Sequence, residues 1–161
     1  MWKTLQAIKA LESKIGELYR CFSDTFKDDA EGAALFARLA RDEDKHCSIV
    51  EFEIRLIIKD HNLPAVQGVD PELLEREQQK IGDLLKCHAL TLAEAVAVSL
   101  SLEQTATESY YRSSVVDQFP DLAGLIKRLG AGDKSHYNSL VRFASARGFA
   151  PPPAWPFEQS F

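Results

Sequence analysis

The chain has 161 residues, a length that fits a single domain with its own hydrophobic core. Hydrophobic residues make up 45% and charged residues 27%, a globular composition that argues against disorder and collagen-like repeats. The formal net charge of −5 argues against nucleic-acid binding and against binding to an anionic membrane, since both need a basic face.

Proline placement and apolar spacing predict four long helices and one shorter helix. Residues 1–63 and 72–119 contain no proline, which favours helices there. The first helix is predicted over about Thr4 to Lys27 and the second over about Ala30 to His61. Each has an apolar stripe at steps of three and four residues. Its members are Leu5, Ile8, Ile15, Tyr19, Phe22 and Phe26 on the first helix, and Phe36, Leu39, Val50 and Ile57 on the second.

A crossover is predicted between the second and third long helices. Pro64 and Gly68 interrupt helical structure there, over about residues 61–90. Within it, an amphipathic segment predicts a shorter helix over about Pro71 to Lys86. Asp70 is the expected N-cap of this helix, because proline suits the first helical turn.

The second half of the chain predicts two more long helices. Thr91 and Glu94 form a Thr-x-x-Glu capping box at the start of the third, which is predicted to run to about Gln118. The fourth is predicted over about Leu122 to Ala146, with Gly148 just past its end.

These elements predict one all-α domain followed by a tail. The domain is a four-helix bundle over residues 1–148, and residues 149–161 form a tail with four prolines and the aromatic residues Phe149, Trp155, Phe157 and Phe161. This tail is either docked or disordered. Docking is favoured, because the aromatic side chains would otherwise be exposed.

Neither a targeting segment nor a membrane span is predicted. The N-terminus lacks the apolar run of a secretory signal, and the most apolar stretch, residues 90–102, carries Glu94 and is too short to span a bilayer. Cys21, Cys47 and Cys87 are scattered and form no Cys-x-x-Cys pair, which suits reduced thiols. We therefore expect a cytoplasmic protein.

Six polar residues occupy positions where the helical periodicity requires an apolar side chain. They are Glu12 on the first helix, Glu43 and His46 on the second, Glu103 on the third, and Asp133 and His136 on the fourth. A buried carboxylate without a partner is too costly to persist, so something must compensate these charges. Taken singly, each histidine could be a core residue paired with the acid three positions earlier. Taken singly, Glu12 or Glu103 could lie on the surface if the helix phase differs.

The same pattern occurs in both halves of the chain. A tyrosine follows seven residues after Glu12 and seven residues after Glu103, Tyr19 in one half and Tyr110 in the other. An acid-x-x-His step follows after 31 residues in the first half and 30 in the second. The spacing therefore indicates two copies of one helix pair, joined by the crossover.

This set of residues points to a site for two metal ions. An acid and a histidine three residues apart share one helix face, so four carboxylates and two imidazoles would point at the bundle axis. Carboxylates can bridge two ions while imidazole completes each coordination sphere, as in helix bundles that hold iron or manganese pairs. Two divalent ions would also neutralise the four buried carboxylates.

At these residues the sequence resembles the rubrerythrin and bacterioferritin branch of the ferritin-like di-iron superfamily, over about residues 4–147. The resemblance rests on Leu11-Glu12, Tyr19, the run from Leu39 to His46, Glu103 to Tyr110, and Asp133 to His136. It implies an up-down-down-up four-helix bundle that binds two iron ions, or manganese or zinc, and reacts with peroxide or dioxygen. It also implies a homo-oligomer, a dimer or larger, and an external electron donor of rubredoxin or ferredoxin type.

The resemblance implies a role for each residue of the set. Glu12 and Glu103 would be terminal carboxylates, Glu43 and Asp133 bridging carboxylates, and His46 and His136 terminal imidazoles. Tyr19 and Tyr110 would each hydrogen-bond a ligand carboxylate, although a core tyrosine can also bond any nearby acceptor. No catalytic residue beyond the metal ligands is implied.

Three positions depart from the family pattern. Asp133 stands where the family has glutamate, so its carboxylate is one methylene shorter. Ala106 aligns with the extra ligand glutamate of rubrerythrins. Asp44 aligns with the haem-binding methionine of bacterioferritins, so haem is not expected.

Three functions are compatible with this pattern. The first is a di-iron oxidoreductase that reacts with peroxide or dioxygen and takes electrons from another protein. The second is a ferroxidase or iron-binding protein. The third is a metal-poor, degenerate bundle that acts as an oligomeric interaction protein, a function that Asp133 favours.

Overall fold

The structure, a computed structural model, describes residues 2–59, 71–86, 90–104 and 120–150. Within these ranges the chain forms five α-helices and no strand, which confirms the all-α prediction. The helices are α1 (Trp2–Thr25), α2 (Ala30–Lys59), α3 (Pro71–Lys86), α4 (Leu92–Glu103) and α5 (Pro120–Ala146).

Helix ends that carry a sequence signal lie where they are predicted. The bounds of α3 are those predicted. At the start of α4, the Glu94 N–H donates to Oγ1 of Thr91 at 3.3 Å, and the Thr91 N–H donates to Oε2 of Glu94 at 2.7 Å. At the end of α5, Gly148 has a φ of 65° and the Phe149 N–H donates to the carbonyl of Ala144 at 2.9 Å. This is the C-terminal glycine motif that the sequence predicts.

Two helices begin earlier than predicted. The fourth long helix, α5, begins at Pro120 and not at Leu122, because proline at a first helical position lacks only an N–H that would have no helical partner. Helix α1 runs from Trp2 to Thr25, two residues earlier than predicted at both ends. It ends there because Asp29 caps α2, its Oδ1 accepting from the Gly32 N–H at 2.9 Å.

Several predictions fall outside the described residues. They are the Asp70 cap, Tyr110, Cys87 and the tail beyond residue 150. The third long helix, predicted to run to about Gln118, is α4 and ends at Glu103, where Gln104 is its C-cap.

The helices pack as two pairs that meet through α2 and α5. Helices α1 and α2 lie antiparallel along each other, α4 packs on α5, and α3 lies against α1. The interior contains residues of the predicted stripes together with Leu18 and Ile81, which lie outside them. Its most buried large apolar side chains are Leu5, Leu18, Tyr19, Phe36, Leu39, Ile81 and Leu140. Across the described part of the chain, no helix combines the length and hydropathy needed to cross a bilayer.

Candidate metal centre

The six polar residues that interrupt the apolar stripes are all buried, with exposed fractions between 1% and 5%. Four helices supply them: α1, α2, α4 and α5. The predicted helix phase is therefore right at each of these positions. The alternative in which Glu12 or Glu103 lies on the surface is wrong.

The first group of these residues comes from α1 and α2. Nδ1 of His46 lies 3.1 Å from Oε2 of Glu43 and 3.3 Å from Oε2 of Glu12. The three candidate ligand atoms all lie within 4.8 Å of one another, so this group could hold a metal ion.

The second group combines α2 with the second helix pair. Nδ1 of His136 lies 3.0 Å from Oε1 of Glu43 and 3.5 Å from Oε1 of Glu103. This group also meets the 4.8 Å limit and could hold a metal ion. Glu43 belongs to both groups, and it turns a different carboxylate oxygen towards each histidine.

Asp133 lies beside these two groups without belonging to either. Its Oδ1 is 3.7 Å from Nδ1 of His46, whereas the corresponding distance from Glu43 to His136 is 3.0 Å. The longer separation agrees with the loss of one methylene at this position. A bridging role for Asp133 therefore stays a prediction.

Tyr19, in the first half of the chain, makes a hydrogen bond to a carboxylate of the cluster that belongs to the second half. Its hydroxyl donates to Oε1 of Glu103 at 2.6 Å, which confirms the predicted hydrogen bond. The Tyr19 ring stacks on Phe36, with 6.1 Å between centroids. Apolar packing thus fixes the hydroxyl that orients Glu103.

Two glycines allow the helices to approach closely at the cluster. A Cβ added at Gly132 would overlap Nε2 of His46 and lie 2.7 Å from its Cε1. A Cβ at Gly16 would lie 3.2 Å from Cβ of Glu43. The backbones of α5 and α1 therefore form part of the walls around His46 and Glu43.

A cavity of about 230 Å³ opens between α2 and α5 beside the two histidines. It is lined by Asp42, Lys45, His46, Ile49, Gly132, Ser135 and His136.

The electrostatics of the cluster depend on burial and on close opposite charges. Burial, together with the negative charge of Glu12, raises the pKa of Glu43 to about 7. Burial alone would lower the pKa of His46, but hydrogen bonds to Glu12 and Glu43 raise it to about 10. Burial alone would also lower the pKa of His136, but the nearby carboxylates of Glu103 and Glu43 outweigh burial and raise this pKa to about 11. Buried carboxylates this close together are stable only when positive charge lies beside them, and either protons or metal ions can supply that charge.

The separations within the two groups fit ligand atoms around an ion. Two ligand atoms each about 2.1 Å from one ion lie about 3.0–3.4 Å apart at ordinary coordination angles. Hydrogen bonds have similar lengths, so distance alone does not decide between the two. His136 supplies a second criterion, because its buried Nδ1 makes no hydrogen bond although Oε1 of Glu43 is 3.0 Å away. Ligand atoms that share an ion are aimed at the ion and not at each other.

Among the described residues, the thiol of Cys47, next to His46 in the sequence, does not belong to the candidate ligand set. Cys47 is half-buried, and its Sγ–H donates to the carbonyl of Lys9 at 3.6 Å. Burial, reinforced by the charges of Glu12 and Glu43, raises the pKa of the thiol to about 12. A thiol that stays protonated is a poor metal ligand and a poor nucleophile.

The sequence did not predict two residues that line the cavity or a further buried acid outside the cluster. Asp42 and Gly132 line the cavity, and Glu77 on α3 is a further buried acid, 6% exposed. Glu77 pairs with Lys80 at 2.6 Å and lies outside the cluster. It stands four residues before the buried Ile81, so the periodicity that found Glu12 could also have found Glu77.

No protein-family model, curated protein or solved structure matches this chain. The resemblance of its motifs to the ferritin-like superfamily therefore stays a prediction.

Proposed function

We propose that this protein is a ferritin-like dimetal carboxylate protein, an oxidoreductase that reacts with peroxide or dioxygen and takes electrons from an external donor. One iron ion would be held by Glu12, Glu43 and His46, and the other by Glu43, Glu103 and His136. Carboxylate oxygen and imidazole nitrogen suit iron, and also manganese or zinc. A bound iron pair would supply the electrons that reduce the oxidant.

The shared carboxylate of Glu43 is the observation that carries this proposal. Oε2 of Glu43 lies 3.1 Å from His46 and Oε1 lies 3.0 Å from His136. A buried side chain that serves only to pair with one histidine needs one oxygen for that contact. The position of Glu43 between two similar groups instead suits a carboxylate that bridges two ions.

The arrangement of the imidazoles also supports metal over protons. The rings of His46 and His136 stack with 5.3 Å between centroids and 26° between planes. Two imidazolium rings this close would repel each other. As metal ligands both rings are neutral, and the positive charge would lie with the ions, between the carboxylates.

Surrounding residues would orient the ligands and exclude water. Tyr19 holds Glu103 through its hydroxyl, and the close approach of Gly16 leaves no room for water against Cβ of Glu43. Buried Leu11, Ile15 and Leu39 lie on the stripes that flank the acids along α1 and α2.

The test is metal content in matched glutamine variants. The protein is expressed with iron, and metal per chain and the near-ultraviolet absorbance of an oxo-bridged iron pair are measured. We expect about two ions per chain in the unaltered protein and below about 0.2 in Glu43→Gln. Glu77→Gln is the control, since Glu77 is also a buried glutamate but lies outside the cluster, and it should keep its metal.

Two results would count against the proposal. Less than about 0.2 metal per chain in the unaltered protein would exclude both metal-dependent functions. Metal content in Glu43→Gln equal to that of Glu77→Gln would mean that any bound metal lies elsewhere.

A ferroxidase is separated from the oxidoreductase by turnover. Peroxide consumption is followed with a reduced donor of rubredoxin type. Repeated consumption supports the oxidoreductase, whereas one stoichiometric oxidation of Fe²⁺ supports a ferroxidase or iron-binding protein.

The metal-poor interaction protein is a second candidate, favoured by one observation. Raised pKa values at His46 and His136 mean that two imidazolium charges can offset part of the carboxylate charge without a metal. A metal-free protein that stays folded and forms a homo-oligomer would support this function.

A further inference from the structure

The cavity between α2 and α5 gives the cluster an opening toward solvent. Both candidate ligand histidines line it, although each is at most 5% exposed. The remaining wall combines one apolar residue, Ile49, with small or polar neighbours. A solute in this cavity would therefore be in contact with the imidazole edges.

The two halves of the chain differ in the residues that face the two histidines. The residue before the acid in each acid-x-x-His step is Asp42 on α2 and Gly132 on α5. Asp42 covers its facing histidine, with Oδ2 3.7 Å from Nε2 of His136. Gly132 faces Nε2 of His46 and has no side chain, and any Cβ there would overlap that ring. The space that a side chain at position 132 would need is occupied by the His46 ring, and the cavity lies beside this contact.

The size and the charges of the cavity suit a partly hydrated cation. A volume of about 230 Å³ can hold several waters around an ion, since each water takes about 30 Å³ in the liquid. Asp42 stands at its edge, where it pairs with Lys45 at 2.6 Å. The Lys45 side chain is 71% exposed, so it can leave Asp42 at little cost. Beyond the imidazoles lie four buried carboxylates, whose field attracts cations.

We propose that this cavity is the route by which divalent cations reach the buried carboxylates, and that Asp42 is the carboxylate they meet first. The inference rests on the proposed function, because it assumes that the cluster takes up metal. An ion that passes Asp42 arrives beside His46 and His136, which both line the cavity. Loading would then depend on the space beside Ser135 and on the charge of Asp42.

The test measures how fast metal-free protein takes up Co²⁺, by rapid mixing and visible absorbance, and how much it finally holds. Ser135→Trp places a large side chain in the cavity wall from an exposed position, where it should not disturb folding. Asn138→Trp is the matched control, exposed on the same helix and outside the lining. We expect loading about tenfold slower in Ser135→Trp, with an unchanged final metal content and an unchanged rate in Asn138→Trp. Asp42→Asn should also load more slowly, and its rate should depend less on salt.

Three other outcomes would overturn the inference, and the measurements distinguish them from one another. No Co²⁺ uptake by the unaltered protein would overturn both this inference and the proposed function. Equal loading rates in Ser135→Trp and the unaltered protein would overturn the access route alone. Equal slowing in both tryptophan variants, or a lower final metal content in Ser135→Trp, would mean that the cavity itself is not the route.

Discussion

At the residue scale, the cluster depends on small neighbours as much as on its ligands. Gly132 has no side chain where His46 lies against α5, and Gly16 has none where Glu43 lies against α1. A glycine inside a helix lowers helix stability by roughly 0.5–1 kcal/mol relative to alanine, so a mid-helix glycine needs a reason in the packing. Here the reason is the volume of an imidazole ring.

Gly132→Ala should weaken metal binding by displacing His46. The added methyl group would overlap the ring, and loss of ligand orientation typically reduces metal affinity by about 10- to 100-fold. Gly82→Ala is the control, because a Cβ there would meet nothing within 4 Å, and it should bind metal normally. Cobalt titration of both variants measures the difference. Equal affinities would mean that α5 can shift and that Gly132 does not position His46.

Asp133→Glu should strengthen metal binding by restoring the longer side chain. Oδ1 of Asp133 now stops 3.7 Å from His46, and an added methylene brings a carboxylate oxygen closer. Competition with a chelator measures the affinity. Asp44→Glu makes the same change at an exposed position on α2 and should have no effect. Weaker binding in Asp133→Glu would count against placing Asp133 at the site.

The sequence predicts the buried ligands better than it predicts their surroundings. Glu12 and Glu103 interrupt apolar stripes, and a one-dimensional pattern is enough to show that. The roles of Asp42 and Gly132 depend on where α2 and α5 approach each other, which no spacing within one helix contains. The contact between Tyr19 and Glu103 was predicted only as a bond to some carboxylate of the site.

At the scale of the helices, local capping explains which ends are predictable. Helix α3 has its predicted bounds because proline begins it, and α4 begins where Thr91 and Glu94 form a capping box. The start of α5 lies two residues before the predicted one, because Pro120 occupies the first helical position. Proline permits both a helix break and a helix start, and the choice depends on packing beyond the local sequence.

Thr91→Ala should destabilise the protein through α4. This helix has only 12 residues and carries Glu103 at its last position, so its cap helps to place a candidate ligand. Loss of a threonine N-cap costs about 1 kcal/mol in the free energy of unfolding, which urea titration can measure. Glu94→Gln should cost less, because glutamine can also complete a capping box. A loss in Thr91→Ala no larger than in Glu94→Gln would contradict this role for the cap.

At the scale of the whole molecule, an ion pair joins the turn between α1 and α2 to the C-terminal end of α5. Nη1 and Nη2 of Arg147, just after α5, donate to the two carboxylate oxygens of Asp29 at 2.8 and 2.7 Å. Arg147 also reaches Glu31 at 3.0 Å. This contact fixes the turn between α1 and α2 against the end of the fourth long helix.

The pH dependence of stability should report on this pair. Hydrogen bonds from the Gly32 N–H and from Arg147 hold the pKa of Asp29 below its usual value of 3.8. Because the pKa is lower in the folded state, the stabilisation is present above about pH 4 and is lost as the pH falls through the folded value. Arg147→Gln should therefore make stability fall less steeply below about pH 4, measured by thermal unfolding. Arg142→Gln removes an exposed arginine from α5 without touching Asp29, and it should keep the original slope.

The difference between Asp42 and Gly132 has a consequence for how such a site can be encoded. Two identical helix hairpins that associate by symmetry must carry the same residue at both positions. A second aspartate, at position 132, would overlap the His46 ring, and two glycines would leave both imidazoles without a facing carboxylate. A single chain with two internal copies is free of this constraint, so one copy can place a carboxylate beside a histidine while the other lets a histidine ring pack on its backbone. Joining the hairpins covalently thus allows the two copies to specialise, which a symmetric pair could not do.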